Sequence, residues 1–179
     1  MRNVVKIDRT GGPDVLLYGS SDAPTPKANE VLIENKAIGL NFVDVYHRTG
    51  VYPAPLPAIL GVEGAGAIIA IGSDVKGLKQ GDRVVYAGVP LGAYASHRVL
   101  PAARAILLLS RRSAALSRPS VIAYTSDLSN YTSAAARVLS KLQAGVALEI
   151  GGQFPLAQAH SAHAALEAGE TQGSTLLIP

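Results

Sequence analysis

Short runs of alternating apolar residues fill the first hundred positions, and a helical period takes over in the last sixty. Val4 to Ile7, Val15 to Tyr18, Val31 to Ile38, Ala67 to Ile71, Arg83 to Tyr86 and Tyr94 to Leu100 each read as a strand. Turns fall at Gly11–Pro13, Pro24–Pro26, Pro53–Pro57, Gly77 and Gly81. Many short strands punctuated in this way predict a barrel or sandwich. Within that region Asn41 stands where an N-cap would, ahead of a short helix that runs to about Arg48 and stops at Gly50.

From Ser126 onward Tyr131, Ala135, Val138, Leu139 and Leu142 repeat along one face of a helix, which Gly145 ends. Val146 to Ile150 reads as a strand. Pro155 suits the first turn of a second helix, whose apolar face carries Leu156, Ala159, Ala162, His163 and Leu166. Ser174 to Ile178 is a closing strand. Between the two halves, Ile106 to Ser117 passes from an apolar strand into a basic stretch with no clear turn, and a join is expected there.

At 179 residues, with 48% apolar and 16% charged positions, the chain suits one well-buried core. The lack of cysteine excludes disulfides, thiolate zinc ligands and a cysteine nucleophile, and fits a cytoplasmic protein. The N-terminus has no apolar stretch of signal-peptide length, and no run approaches the length of a membrane helix. The net charge is +3, yet six arginines and no acid lie between Arg83 and Ser126. No recognition-helix or stacking pattern accompanies them, so nucleic acid is not an expected partner.

The densest polar group is Asn41, Asp44, Tyr46, Arg48 and Tyr52. Asn41 and Asp44 are three apart on a short helix, a spacing that lets both face one cleft. An amide can read a carboxamide, and phenols can stack on and hydrogen-bond a planar ring. The same residues also make sense as a helix cap, a solvated acid and two packing tyrosines. His160 and His163 lie one helical turn apart, which reads as a surface residue beside a partly buried one rather than as a metal pair.

GGPDVL (11–16), NKAIGLNFVDVYHRTGVYP (35–53), GVEGAG (61–66), GSDVKGLKQGDRVVY (72–86) and LGAY (91–94) closely resemble the zinc-free NADPH:quinone oxidoreductases. These are the zeta-crystallin-like branch of the medium-chain dehydrogenase/reductase superfamily. SRPS (117–120), FPLAQAHSAH (154–163) and TQGSTLLIP (171–179) resemble the C-terminal end of the same proteins. The resemblance implies an α+β, mainly β fold: a GroES-like, partly open β-barrel with a few peripheral helices and no Rossmann domain. A single domain over 1–179 is expected, built from 1–106 and 117–179 and joined at about 107–116. In the family a nucleotide-binding domain on the order of 150 residues stands at that join. No G-x-G-x-x-G follows a strand in this chain.

The resemblance further implies that Asn41 and Asp44 bind the NADPH cofactor, that Tyr46 and Tyr52 line a quinone pocket, and that Arg118 stabilises charge on the reduced quinone oxygen. Glu63 is expected to be structural within its Gly-rich turn. Val62 stands where zinc-dependent relatives have a histidine, so neither zinc nor any other metal is expected. Gly169 occupies a position at which many relatives have a cofactor-binding arginine. The expected function is the substrate-cleft domain of an NADPH:quinone oxidoreductase, with weak or absent activity in this chain alone. The alternative is a cofactor-free folded domain used for binding or as a scaffold. Loss of a covering domain implies a monomer, or weak association through the exposed cleft face.

Overall fold

The computed structural model describes residues 1–107 and 127–179. Most of the expected join at 107–116, and the whole of Arg118, lie outside the described residues. Ten strands and three α-helices occur among the described residues. They are β1 (Arg2–Ile7), β2 (Leu17–Ser21), β3 (Glu30–Leu40), α1 (Phe42–Thr49), β4 (Ala58–Ile59), β5 (Glu63–Ile71), β6 (Arg83–Tyr86), β7 (His97–Pro101), β8 (Ile106–Leu107), α2 (Leu128–Gln143), β9 (Ile150–Pro155), α3 (Ala159–Glu167) and β10 (Ser174–Ile178).

β3 is the spine. Its eleven residues pair along most of their length with β5, at the N-terminal end with β7, and at the C-terminal end with β10. Beyond these, β6 and β8 extend one side of the sheet, and β9 lies parallel to β10 on the other. Strands from both ends of the chain therefore share one sheet, and α3 makes the crossover between β9 and β10. A smaller antiparallel sheet, β2-β1-β4, packs against it. The two are stitched by backbone hydrogen bonds from Val5 N–H to Tyr94 and from Ser96 N–H to Asn3. The result is the mainly β, partly open barrel with peripheral helices that the sequence leads one to expect.

The core follows the alternation. Ile33, Ile38, Leu60, Ile68, Val84, Tyr94 and Leu177 are all fully shielded, and Val5 and Ile7 close the space from the small sheet. One close approach depends on glycine. Gly66 on β5 faces the irregular stretch of β3 between Asn35 and Ala37, and a Cβ there would collide with the Glu34 carbonyl. Gly66→Ala is expected to destabilise the protein by about 2 kcal/mol or more. Gly19→Ala, in open space on β2, should fall within about 0.5 kcal/mol of the parent in urea denaturation. Equal midpoints for the two variants would refute the packing argument.

Several boundaries differ from those read in the sequence. Val15 ends a 3-10 turn (Pro13–Val15), and β2 starts at Leu17. Residues 94–96 bond to β1 as an irregular segment before β7 begins. The strand expected over Val146 to Ile150 instead runs Ile150–Pro155. Val146 and Leu148 are exposed, because pairing with β10 starts only at Ile150. Pro155 closes β9 rather than opening a helix. A 3-10 turn (Leu156–Gln158) follows it, and α3 starts at Ala159 with the expected apolar face inward. α2 begins one residue after Asp127, whose carboxylate accepts the Asn130 N–H. Tyr131 anchors α2: its hydroxyl accepts the Ala87 N–H and donates to the Arg104 carbonyl.

Candidate functional site

α1 begins where β3 ends. Asn41 is extended and caps the helix in a capping box, in which the Asp44 carboxylate accepts the Asn41 backbone N–H at 2.9 Å. Gly50 ends the helix in the left-handed conformation, with φ 87°, as a C′ glycine does. The helix thus has a fixed start and stop, and its N-terminus opens onto a cavity of about 410 Å³. Leu40, Asn41, Phe42, Thr171, Ser174 and Thr175 are among the residues that line it, and Gly169 forms part of the wall. Thr175 sits on β10, opposite Leu40 of β3, and its hydroxyl is buried without a hydrogen-bond partner. A buried hydroxyl left unpaired is costly unless something outside the protein satisfies it.

Below the cap lies a buried polar chain. Arg48 is wholly enclosed. Its guanidinium donates to the Gly11 carbonyl and the Glu167 carboxylate in short contacts, and Nε donates to His163 Nδ1 at 3.4 Å. With Nδ1 accepting, His163 carries its proton on Nε2 and donates it to the Tyr94 hydroxyl at 2.8 Å. Tyr94 in turn lies against the Asp44 carboxyl. Glu167, Arg48, His163, Tyr94, Asp44 and the Asn41 amide therefore form one series that crosses from α3 to the cap of α1.

Burial sets the protonation along this series. Desolvation pushes the Asp44 carboxyl up to about 7, against the opposing pull of the Asn41 N–H and the Tyr94 hydroxyl. Asp44 Oδ1 has no donor at normal hydrogen-bond geometry. His163 is pushed down to about 3 by burial and by the neighbouring Arg48 charge. The Tyr94 hydroxyl is raised well above its ordinary value, again chiefly by burial. The interior thus holds a neutral imidazole, a neutral phenol and a carboxyl that titrates near neutrality.

The residues singled out in the sequence separate into three groups. Asn41 lines the cavity, while Asp44 lies behind it with no exposed surface and reaches the cavity only through the cap. Tyr46 and Tyr52 are brought together edge to face, with ring centroids 5.3 Å apart, on the exposed side of α1. They do not line the cavity, but Phe42 does, and its ring lies 6.4 Å from that of Tyr46. The Tyr52 N–H bonds the Tyr46 carbonyl, which fixes the turn after the helix. Arg48 belongs to the buried series. Glu63 is buried at the start of β5, where its side chain lies over Gly39 of β3. His160 is exposed and His163 is buried. Among the described residues no three His, Cys, Asp or Glu side chains converge as metal ligands, and no helix is long and apolar enough to cross a membrane.

Phe42, Thr175 and Tyr94 are not distinguished by sequence reasoning. Thr175 sits in a strand pattern that reads as core, and Tyr94 in one that reads as packing. Only the closure of β10 on β3 places the first at the cavity, and only the approach of α3 gives the second its histidine.

Comparison with known proteins places this geometry. Residues 27–110 match the alcohol dehydrogenase GroES-like domain. The chain is 55% identical over 91 residues to a quinone oxidoreductase of Pseudomonas aeruginosa, a span that covers 50% of this chain and 28% of the relative. It is 48% identical over 109 residues to quinone oxidoreductase 1 of Escherichia coli, covering 60% of this chain and 33% of that one. The crystal structure of an Escherichia coli quinone oxidoreductase complexed with NADPH superimposes with a TM-score of 0.89 at 24% identity, over 99% of this chain and 100% of that chain, a likeness of fold. The aligned part amounts to about a third of the length of the curated relatives. Through the N-terminal part that builds β3 and α1, the chain is similar to quinone oxidoreductases and matches the GroES-like domain.

Proposed function

We propose that this chain forms the substrate-cleft domain of an NADPH-dependent quinone oxidoreductase, in which hydride passes from a nicotinamide to a quinone. The observation that carries this reading is the cavity at the capped end of α1, which Asn41 lines together with Thr175, whose hydroxyl is buried and unpartnered. A primary carboxamide offers both a donor and an acceptor, the two functions such a pair of side chains can meet. The 55% identity over 91 residues to a quinone oxidoreductase supports the substrate class. The complex of the Escherichia coli protein supports NADPH as the hydride donor.

The residues present fit the nicotinamide end of such a cofactor and not its phosphates. Asn41 and Thr175 would hold the carboxamide, and the capping box under Asp44 keeps Asn41 in place. No Gly-rich phosphate-binding turn follows a strand in the sequence. Bound NADPH would supply the hydride. The chain's own part is to orient the rings, with the Tyr46–Tyr52 pair stacking against a planar quinone and Arg118 balancing charge on its oxygen. The pairing of β10 with β3 supports one domain built from 1–106 and 117–179, with a nucleotide-binding domain belonging at the join. The protein is taken as cytoplasmic, and as a monomer or a weak associate through its cleft face.

A second reading, a cofactor-free domain that binds without catalysis, is favoured by the missing phosphate turn and the short span against the relatives. Calorimetric titration of NADPH, with NADH as control, separates the two. Weak binding with a Kd of about a millimolar is expected, alike for NADPH and NADH, since the two share the nicotinamide end. Quinone turnover should be at most about a hundredth of that of a full-length relative, since orientation of the donor is largely lost. Asn41→Ala should remove the residual binding. Complete absence of heat would favour the cofactor-free reading, and turnover equal to a full-length relative would overturn the expectation of a crippled site.

A further inference from the structure

A second cavity, of about 500 Å³, lies between the proline-rich loop before β4 and the segment that leads into β7. Its walls are apolar, with Pro55, Pro57, Ile59, Leu91 and Val99 among them, and it contains two guanidinium groups and no acid. Arg98 is only 3% exposed. Its carbon lies 4.4 Å from the centre of the Tyr86 ring, and one terminal nitrogen donates to the Pro90 carbonyl in a short contact. The other terminal nitrogen has no hydrogen-bond partner. Arg2 is held from two sides, by Ser21 Oγ at 3.1 Å and the His97 carbonyl at 2.8 Å. Both guanidiniums are thus fixed by neutral groups. Among the described residues no carboxylate comes within ion-pair distance of either.

A buried cation without an opposite charge is costly, and two beside one apolar space raise the local positive potential further. An anion entering the space would relieve both, and guanidiniums favour the planar, two-oxygen geometry of a carboxylate. The apolar walls favour a ligand with a hydrophobic body, and the volume suits a small organic molecule. We propose that this cavity is a binding site for a small organic carboxylate, with Arg2 and Arg98 as the anion-binding groups. It is separate from the cavity at Asn41, and the two share no lining residue.

The probes are benzoate, its neutral isostere benzamide, and inorganic phosphate, each titrated against the isotope-labelled chain with backbone amide shifts as the readout. Benzoate is expected to shift the amides of Leu91, Gly92 and Val99 and to saturate with a Kd of about a millimolar. Benzamide should bind at least about tenfold more weakly, since the charge-assisted bonds are lost. Arg2→Gln should weaken benzoate about tenfold and leave benzamide unchanged, and Leu91→Trp should block both. Arg2 and Leu91 are chosen because removing the buried Arg98 risks the fold itself. Equal affinities for benzoate and benzamide would overturn the proposal. So would shifts confined to the Asn41 cavity, no saturation by tens of millimolar benzoate, or phosphate binding tighter than benzoate.

Discussion

Arg48→Met is expected to cost the protein about 3 kcal/mol of folding stability, a large share of what a domain of this size has. Methionine nearly fills the volume, so the loss comes from polar groups rather than from a void. Arg48 satisfies the Gly11 carbonyl, the Glu167 carboxylate and His163 Nδ1 together, and it has no exposed surface of its own. Without it the imidazole nitrogen stays buried and unpaired, at about 1–3 kcal/mol, and the half-buried Gly11 carbonyl loses its donor at a smaller cost. Glu167 is about a third exposed and can turn to water, which keeps the total at the lower end for a broken buried pair. Glu167→Gln should accordingly cost only about 1 kcal/mol. Arg48→Lys should not rescue, because an ammonium cannot reach three acceptors in the planar fork a guanidinium presents. Urea denaturation followed by circular dichroism measures all three. A midpoint for Arg48→Met within error of the parent would mean that α1 is held by its apolar face and not by this anchor. If the anchor matters, the variant should also blur the amide signals of Asn41 and Tyr46 before it unfolds, since these sit on the helix that Arg48 ties to α3.

The importance of Arg48 shows how far the sequence could be read. The strands Val31 to Ile38 and Arg83 to Tyr86, and the helix after Asn41, are legible because each has a clear period and a clear stop. The boundaries that shifted are those fixed by partners far away in the chain. Ile150 starts β9 only because β10 is there to pair with it, and Pro155 ends a strand because the same pairing extends to Ile178. The polar cluster at Asn41 to Tyr52 is legible as a cluster, but not in its division. Helical spacing places Asp44 near Asn41, yet it does not say that one faces the cavity while the other is sealed behind it. Arg48 and His163 lie 115 positions apart, and no local pattern joins them. Thr175 is a further case, since a threonine in an apolar strand looks like any half-buried β-branched residue until the missing partner of its hydroxyl is seen.

Asp44→Asn is expected to make the protein more stable than the parent at pH 8 by about 4 kcal/mol, and to leave the two nearly equal at pH 4. The folded-state value of about 7 lies above the ordinary 3.8 of an aspartate, so the native state binds the proton more tightly than the unfolded chain. The stability that Asp44 contributes is then fully present below about pH 4 and is lost as the pH rises through about 7. Asparagine holds no titrating proton, and its oxygen can still accept the Asn41 N–H that Asp44 Oδ2 accepts now. His163 works in the opposite sense. Its folded value of about 3 lies below the ordinary 6.5, so its contribution is present above about pH 6.5 and is lost as the pH falls towards 3. Between about pH 4 and 6.5 the two slopes oppose each other in the parent, whose stability should be nearly flat there. In Asp44→Asn the histidine slope stands alone, so stability should climb over the same interval. Parallel curves for parent and variant from pH 4 to 8 would show that Asp44 is ionised throughout and that the Tyr94 and Asn41 contacts outweigh its burial. A divergence that opens above about pH 4 and is complete a little above pH 7 would instead establish that the cap of the helix at the cavity carries a proton which the protein can lose within the physiological range.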